Sequence, residues 1–286
     1  MIIVTGATGH LGRRIVDRLL TRVPAERVGV SVREPGRVRD LAERGVRVRR
    51  GDFTDPHGPA HAFEGATQVL VVSVDALGAE ALARHRAAFD AAVAAGAHRI
   101  LYTSHQGTDP LSRFEACRDH ATDEQTLRDS GVPFTALRNG FYAASALQFF
   151  GRAAETGELV LPADGPVAWT AHDDLAEAAA ALLAGESRYD GPTPPLTAGR
   201  ALDFDEIAAL ASAITGRTIR RITVSDEEFR ARTVASGVPE PQARMMVDIF
   251  AASRAGEFAA LDPALGELIG REPRGFDSVL REALAR

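Results

Sequence analysis

The chain opens Met1-Ile2-Ile3-Val4-Thr5-Gly6-Ala7-Thr8-Gly9-His10-Leu11-Gly12, and this stretch constrains the fold more than any other. An apolar strand runs straight into three glycines at the spacing G-x-x-G-x-x-G. An amphipathic stretch follows, with Leu11, Ile15, Val16, Leu19 and Leu20 at helical intervals. Strand, loop and helix together predict a phosphate cradle. Gly6 permits a tight turn, Gly9 lets a pyrophosphate approach the backbone, and Gly12 lets the helix pack closely on the strand. The amides and positive dipole end of the helix then face the anion. The motif follows a strand, opens a helix and stands where a first Rossmann strand belongs, which gives it its weight.

The same rhythm continues. Strands are expected at Arg27–Arg33, Val46–Val48, Gln68–Ser73, Arg99–Ser104 and Pro133–Arg138. Helices are expected between them at Gly36–Arg44, Ala60–Glu64, Ala79–Ala95 and within Pro110–Gly131. Short alternation of this kind predicts an α/β fold, a Rossmann doubly wound parallel sheet with right-handed crossovers. After residue 142 the rhythm breaks, and mostly helical segments follow. Residues 1–142 therefore read as the dinucleotide-binding domain and 143–286 as a smaller, mostly helical lid. Trp169–Ala184, with a helix capped by Asp173 or Asp174, is expected to rejoin the first domain.

At 286 residues the chain has room for such a pair, and its net charge of −6 argues against a nucleic-acid face. No apolar run is long enough to span a bilayer. The glycine loop begins within six residues of Met1, where a secretory leader has no room, and Cys117 is the single cysteine; a cytoplasmic protein is expected. His57 and His61 are four apart, but no third ligand stands near them, so they read as loop or surface histidines and no metal is expected. The chain contains no lysine: all 33 basic residues are arginine. Any lysine base, Schiff base or phosphate anchor is thereby excluded.

About twenty residues beyond the glycine loop, an NAD site would place an acid for the ribose. Here Arg33 ends the strand and Arg37 follows one turn later, a guanidinium pair suited to the 2′-phosphate of NADP. Glu34 is adjacent and could serve a ribose instead. Asp52 and Phe53, Ser73, and the pair Thr103 and Ser104 all fall at strand carboxyl ends, where a doubly wound sheet places ligand contacts. Asn139, Phe141 and Tyr142 follow the sixth strand.

On these residues the chain resembles the NmrA-like, atypical members of the short-chain dehydrogenase superfamily. It is most similar to the bacterial NADPH-dependent quinone oxidoreductase and triphenylmethane reductase branch. The likeness rests on Val4–Gly12, Val32-Arg33-Glu34-Pro35, Tyr102-Thr103-Ser104, Asp129–Thr135, Leu137–Tyr142 and the tail Leu268–Phe276. It implies an NADP(H) cleft between a Rossmann domain and a lid, with a planar apolar acceptor near the nicotinamide. Carried over, Gly6, Thr8, Gly9, His10, Leu11 and Gly12 hold the pyrophosphate, and Arg33 and Arg37 the 2′-phosphate. Asp52 and Phe53 flank the adenine, Ser73 and Thr103 line the nicotinamide ribose, and Asn139, Phe141 and Tyr142 border the acceptor.

One departure bears on chemistry. Ordinary short-chain dehydrogenases use a Tyr-x-x-x-Lys pair. Where that lysine would fall, four residues before Glu124, stands His120, and no tyrosine is near it in sequence. A quinone is already a strong hydride acceptor and needs mainly to be held in place, so such a site suits a quinone better than an ordinary ketone. His120 is a candidate proton donor or ribose contact, or else an exposed residue paired with Glu124. Tyr142 and Asn139 are the other candidate catalytic residues. Trp169, Phe149, Phe150, Met245, Met246 and Phe250 are candidates for a flat acceptor pocket, or else lid core, which such residues more often form. Two functions remain open: an NADPH-dependent reductase of planar aromatic acceptors, or an NADP-binding sensor without turnover. A homodimer is one option for the assembly.

Overall fold

The computed structural model describes residues 1–55, 58–185 and 189–285, so His57 lies outside the described residues. The first half runs β1 (Ile2–Thr5), α1 (His10–Leu19), β2 (Val28–Val32), α2 (Arg39–Glu43), β3 (Arg47–Arg50), α3 (Gly58–Phe63), β4 (Gln68–Val71), α4 (Gly78–Ala94), β5 (Arg99–His105), α5 (Glu115–Asp129) and β6 (Phe134–Asn139). The second half runs α6 (Ala143–Phe150), α7 (Ala153–Thr156), β7 (Glu158–Pro162), α8 (His172–Ala184), β8 (Gly191–Pro192), α9 (Phe204–Thr215), β9 (Arg220–Val224), α10 (Asp226–Ala235), α11 (Glu240–Arg254), α12 (Ala264–Ile269) and α13 (Phe276–Leu284).

Seven strands form one parallel sheet in the order β3-β2-β1-β4-β5-β6-β8, the doubly wound Rossmann arrangement. Side chains alternate faces along each strand, which splits the apolar residues into two cores. Ile2, Val4, Leu70 and Leu101 pack with Ile15 and Val16 of α1 and Leu175 of α8. Ile3, Val69, Val71 and Ile100 pack on the other face with Phe63, Phe89 and Leu127. Both faces are covered, which is why these strands read as continuous apolar runs.

Two local expectations are corrected. The segment expected as one helix over Gly36–Arg44 opens as a 3-10 turn, Pro35–Val38, and α2 occupies only Arg39–Glu43, because Val38 adopts non-helical backbone angles between them. The residue before α8 is Ala171, so neither Asp173 nor Asp174 caps it; both sit in its first turn. Arginines claim those carboxylates instead. Asp173 accepts from Arg14 Nε at 3.0 Å. Asp174, fully buried, accepts from Arg271 Nη2 and from the Arg274 backbone N–H, each at 2.6 Å. The tail motif thus acts as a clasp, fastening the stretch before α13 onto the α8 layer.

A third core belongs to the second half, where Phe141, Trp169, Phe204, Phe250 and Phe258 pack together beside the parallel pair β7–β9. Phe258 joins this core to the sheet. Its carbonyl accepts from Gln106 Nε2 at 2.9 Å and from the Ala168 N–H at 3.0 Å. Its ring lies so close to Gly107 that any Cβ there would collide with it. No helix among the described residues is long and apolar enough to cross a membrane.

Asp174→Ala leaves the Arg274 amide without its acceptor and Arg271 without its closest carboxylate. Urea unfolding should show a loss of about 2 kcal/mol, discounted because Arg271 is partly exposed. An unchanged midpoint would mean that the clasp contributes nothing.

Candidate active site

The strand order reverses between β1 and β4, so the crevice of a doubly wound sheet opens beyond their carboxyl ends. The glycine loop fills one side of it. Gly6 has φ +66° and packs on Val72, just past β4. The Gly9 N–H donates to the Gly6 carbonyl at 2.9 Å, and a Cβ on Gly12 would collide with that same carbonyl. Gly12 therefore permits the loop to fold back on its own helix, a different close approach from the helix–strand packing expected. Gly9 precedes α1 without a side-chain cap, and no acid occupies the first turn. The first amides of α1 are left for an anion. Leu11 is buried in the core, so only its backbone faces the loop, whereas His10 is exposed and Thr8 half-buried.

Arg33 follows β2 and Arg37 lies in the adjoining 3-10 turn; both are exposed, and Arg37 stands 4.0 Å from Glu34. The register of β2 on β3 sets Arg50 opposite Val32, which adds a third guanidinium to this edge. Sequence reading missed Arg50; its position at the carboxyl end of the next strand was the available signal. Asp52 Oδ1 accepts from the Thr54 N–H at 3.0 Å and the Thr54 hydroxyl at 2.8 Å. Those bonds, then Arg33 and Arg50, hold its carboxyl below the usual range. Phe53 packs partly against the core that holds Phe63. An uncapped helix start, a collapsed glycine loop and three arginines suit a dinucleotide bearing a 2′-phosphate.

Beyond β4 three successive amides turn to side chains. The Val72 N–H donates to Thr5 Oγ1 at 2.9 Å, the Ser73 N–H to Thr103 Oγ1 at 2.8 Å, and the Val74 N–H to His85 Nε2 at 2.9 Å. The loop so anchored forms one wall of a cavity of about 270 Å³, with Ser104, His120, Phe141, Tyr142 and, from α11, Met245 among the others. Three expected residues stand off this wall. Thr103 is buried and holds Ser73 in place. Asn139 is buried next to Tyr142, its Oδ1 without a partner among the described residues. Trp169 is buried behind Phe141, its indole N–H donating to the Leu202 carbonyl at 3.0 Å, so its candidacy for the acceptor pocket is overturned.

The His120–Glu124 pairing is overturned as well. Glu124 is buried, takes a bidentate pair of bonds from Arg138 at 3.0 and 2.7 Å, and accepts from Ser104 Oγ at 2.7 Å. His120 turns instead to Tyr102, eighteen residues away in sequence, whose hydroxyl lies 2.7 Å from Nδ1. That hydroxyl also donates to Asp123 Oδ2 at 2.8 Å, and the same oxygen lies 2.7 Å from His85 Nδ1. Behind His120, at a ring separation of 6.3 Å and nearly parallel to it, stands His105, which sequence reading missed. Its Nδ1 accepts from the Gly107 N–H at 3.0 Å. Phe114, Phe141 and Phe258 box it edge-on.

A model of the NmrA-like family matches residues 1–274. The chain belongs to the NmrA-like family. It is 33% identical to quinone oxidoreductase 2 of Escherichia coli over 273 residues, 94% of each chain. With the NAD(P)H azoreductase of Xenophilus azovorans it shares 28% identity over 279 residues, 96% of this chain and 95% of that one. Among solved structures, the NADPH complex of the Escherichia coli NADPH-dependent quinone oxidoreductase superposes with a TM-score of 0.94 at 30% identity, covering 99% of this chain and 100% of that one. The NADP(H) complex of the Citrobacter sp. triphenylmethane reductase gives 0.92 at 31% identity, with the same coverage.

Burial favours the neutral form of three imidazoles at this NmrA-like site, those of His105, His120 and His172. Burial lowers the pKa of His105 to about 4, and burial together with Arg14 and His10 lowers that of His172 to about 4. Burial, reinforced by His105 and His85, takes His120 well below the ordinary value. Burial pushes the Cys117 thiol up to about 12, which makes it an inert neighbour of His105. His172 packs against Tyr142, ring centres 4.3 Å apart, and lies 6.5 Å from the ring of His10.

In an unfolded chain imidazole takes up its proton near pH ~6.5, whereas His105 and His172 stay neutral in the fold down to about pH 4. Between those values the unfolded state binds more protons, so stability falls as the pH drops through the window. Unfolding free energy should decline by roughly 2 kcal/mol per ring between about pH 7 and pH 5, and replacing both rings with Phe should flatten the slope. A slope unaltered by the replacements would refute the assignment.

Proposed function

We propose that this protein is an NADPH-dependent oxidoreductase that passes hydride to a quinone or a similar planar aromatic acceptor. The observation that carries the reading is the cavity beside the switch point, walled by Phe141, Tyr142 and Met245 and flanked by neutral histidines. The activities named for the relatives, quinone and azo reduction and reduction of triphenylmethane dyes, support it.

NADPH supplies the hydride when bound. Gly6, Thr8, Gly9, His10, Leu11 and Gly12 offer backbone amides to its pyrophosphate, and Arg33, Arg37 and Arg50 grip the 2′-phosphate. Asp52 and Phe53 flank the adenine. Ser73, with Thr103 behind it, and Ser104 border the nicotinamide ribose. Phe141 and Tyr142 border the flat acceptor, with Asn139 buried behind them. Since a quinone accepts hydride readily, positioning carries most of the catalysis. In this reading residues 1–142 with α8 form the cofactor domain, most of 143–286 forms the lid, and the single thiol suits the reducing cytoplasm.

The lysine-free sequence favours a second reading, an NADP sensor without turnover. Following nicotinamide absorbance with a panel of quinones separates the two. Quinone-dependent oxidation of NADPH is expected; tight NADPH binding with no oxidation across the panel would leave only the sensor. For the cofactor, Arg33→Asp should weaken NADPH by about tenfold or more while hardly changing NADH, since it sets a negative charge against the 2′-phosphate. Equal losses for both dinucleotides would rule out the 2′-phosphate role.

A further inference from the structure

One backbone amide sets the directions along the chain of hydrogen bonds that ends at His120. His85 Nε2 accepts from the Val74 N–H, so the ring is neutral and its proton sits on Nδ1, pointing at Asp123 Oδ2. Carboxylate oxygens only accept, so the Tyr102 hydroxyl spends its single proton on the same oxygen. Facing that spent hydroxyl at 2.7 Å, His120 Nδ1 must carry its own proton and donate it. A neutral His120 then presents Nε2 as a bare lone pair. No described residue bonds it, and the ring lines the cavity.

We propose that this lone pair selects acceptors carrying an un-ionised hydroxyl beside the reducible carbonyl, with the O–H donating to His120 Nε2. Tyr102, Asp123 and His85 are positioning residues that hold His120 in the accepting tautomer. A ligand lacking the donor covers that lone pair and leaves it unpaired, and a site built to bond a hydroxyl discriminates strongly against the analogue without it. The inference rests on the reductase reading for its substrate class, but it can fail separately.

The test uses hydroxymethyl naphthoquinone and its methyl ether, which differ by one O–H and little in electron affinity. Dissociation constants are measured by fluorescence quenching on the intact protein loaded with NADP+, and kcat/KM is measured with NADPH. The wild type should bind the alcohol about tenfold or more tightly than the ether. That ratio should fall to within about twofold in His120→Phe, and also collapse in Tyr102→Phe, which frees His120 to take the other tautomer. The second variant keeps the test decisive if the first does not fold, as judged by its thermal melt. Equal affinity for the two ligands in the wild type, or a preference that survives in either folded variant, overturns the proposal. A binding preference without any NADPH oxidation would overturn the reductase reading and leave the hydroxyl site standing.

Discussion

Three consecutive amides govern this site. Those of Val72, Ser73 and Val74 donate to Thr5 on β1, Thr103 on β5 and His85 on α4, so the chain past β4 is held on three sides by side chains where strand partners have run out. A buried amide left unpaired is costly, and these bonds let the backbone leave the sheet at the switch point without that cost. The consequences spread in two directions. Val72 becomes the surface on which Gly6 turns, and Val74 sets the proton positions in a chain of four side chains ending at His120.

The sheet was legible because the two cores on its faces are periodic. Strands covered on two faces read as apolar runs, and glycines punctuate them where the backbone must turn. Errors fell where tertiary partners overrode local signals. Asp173 and Asp174 look like helix caps, yet Arg14, Arg271 and Arg274 hold them. His120 and Glu124 have the spacing of a helical pair, yet each is turned by burial toward a partner on a strand, Tyr102 and Arg138 respectively.

The site was half legible for the same reason. Strand-end positions pointed to Ser73, Ser104 and Tyr142 at the cavity. They could not distinguish a residue in the wall from one behind it, as with Thr103 and Asn139, because that depends on which way a side chain points after pairing. His105 and Asp123 gave no local signal at all. Their importance comes from neighbours distant in sequence, such as His120, His85 and Phe258, that only the packed sheet and helices bring together.

The joint at Phe258 bears on how anything enters. Its carbonyl is shared by a side chain from the end of the sheet and an amide from the second half of the chain, and its ring is wedged against Gly107. Swinging the two halves apart would break the buried Gln106 bond and pull the ring off Gly107. The joint behaves as a rivet rather than a hinge. Met245 of α11, an unbranched thioether that changes rotamer cheaply, lines the cavity from the second half of the chain.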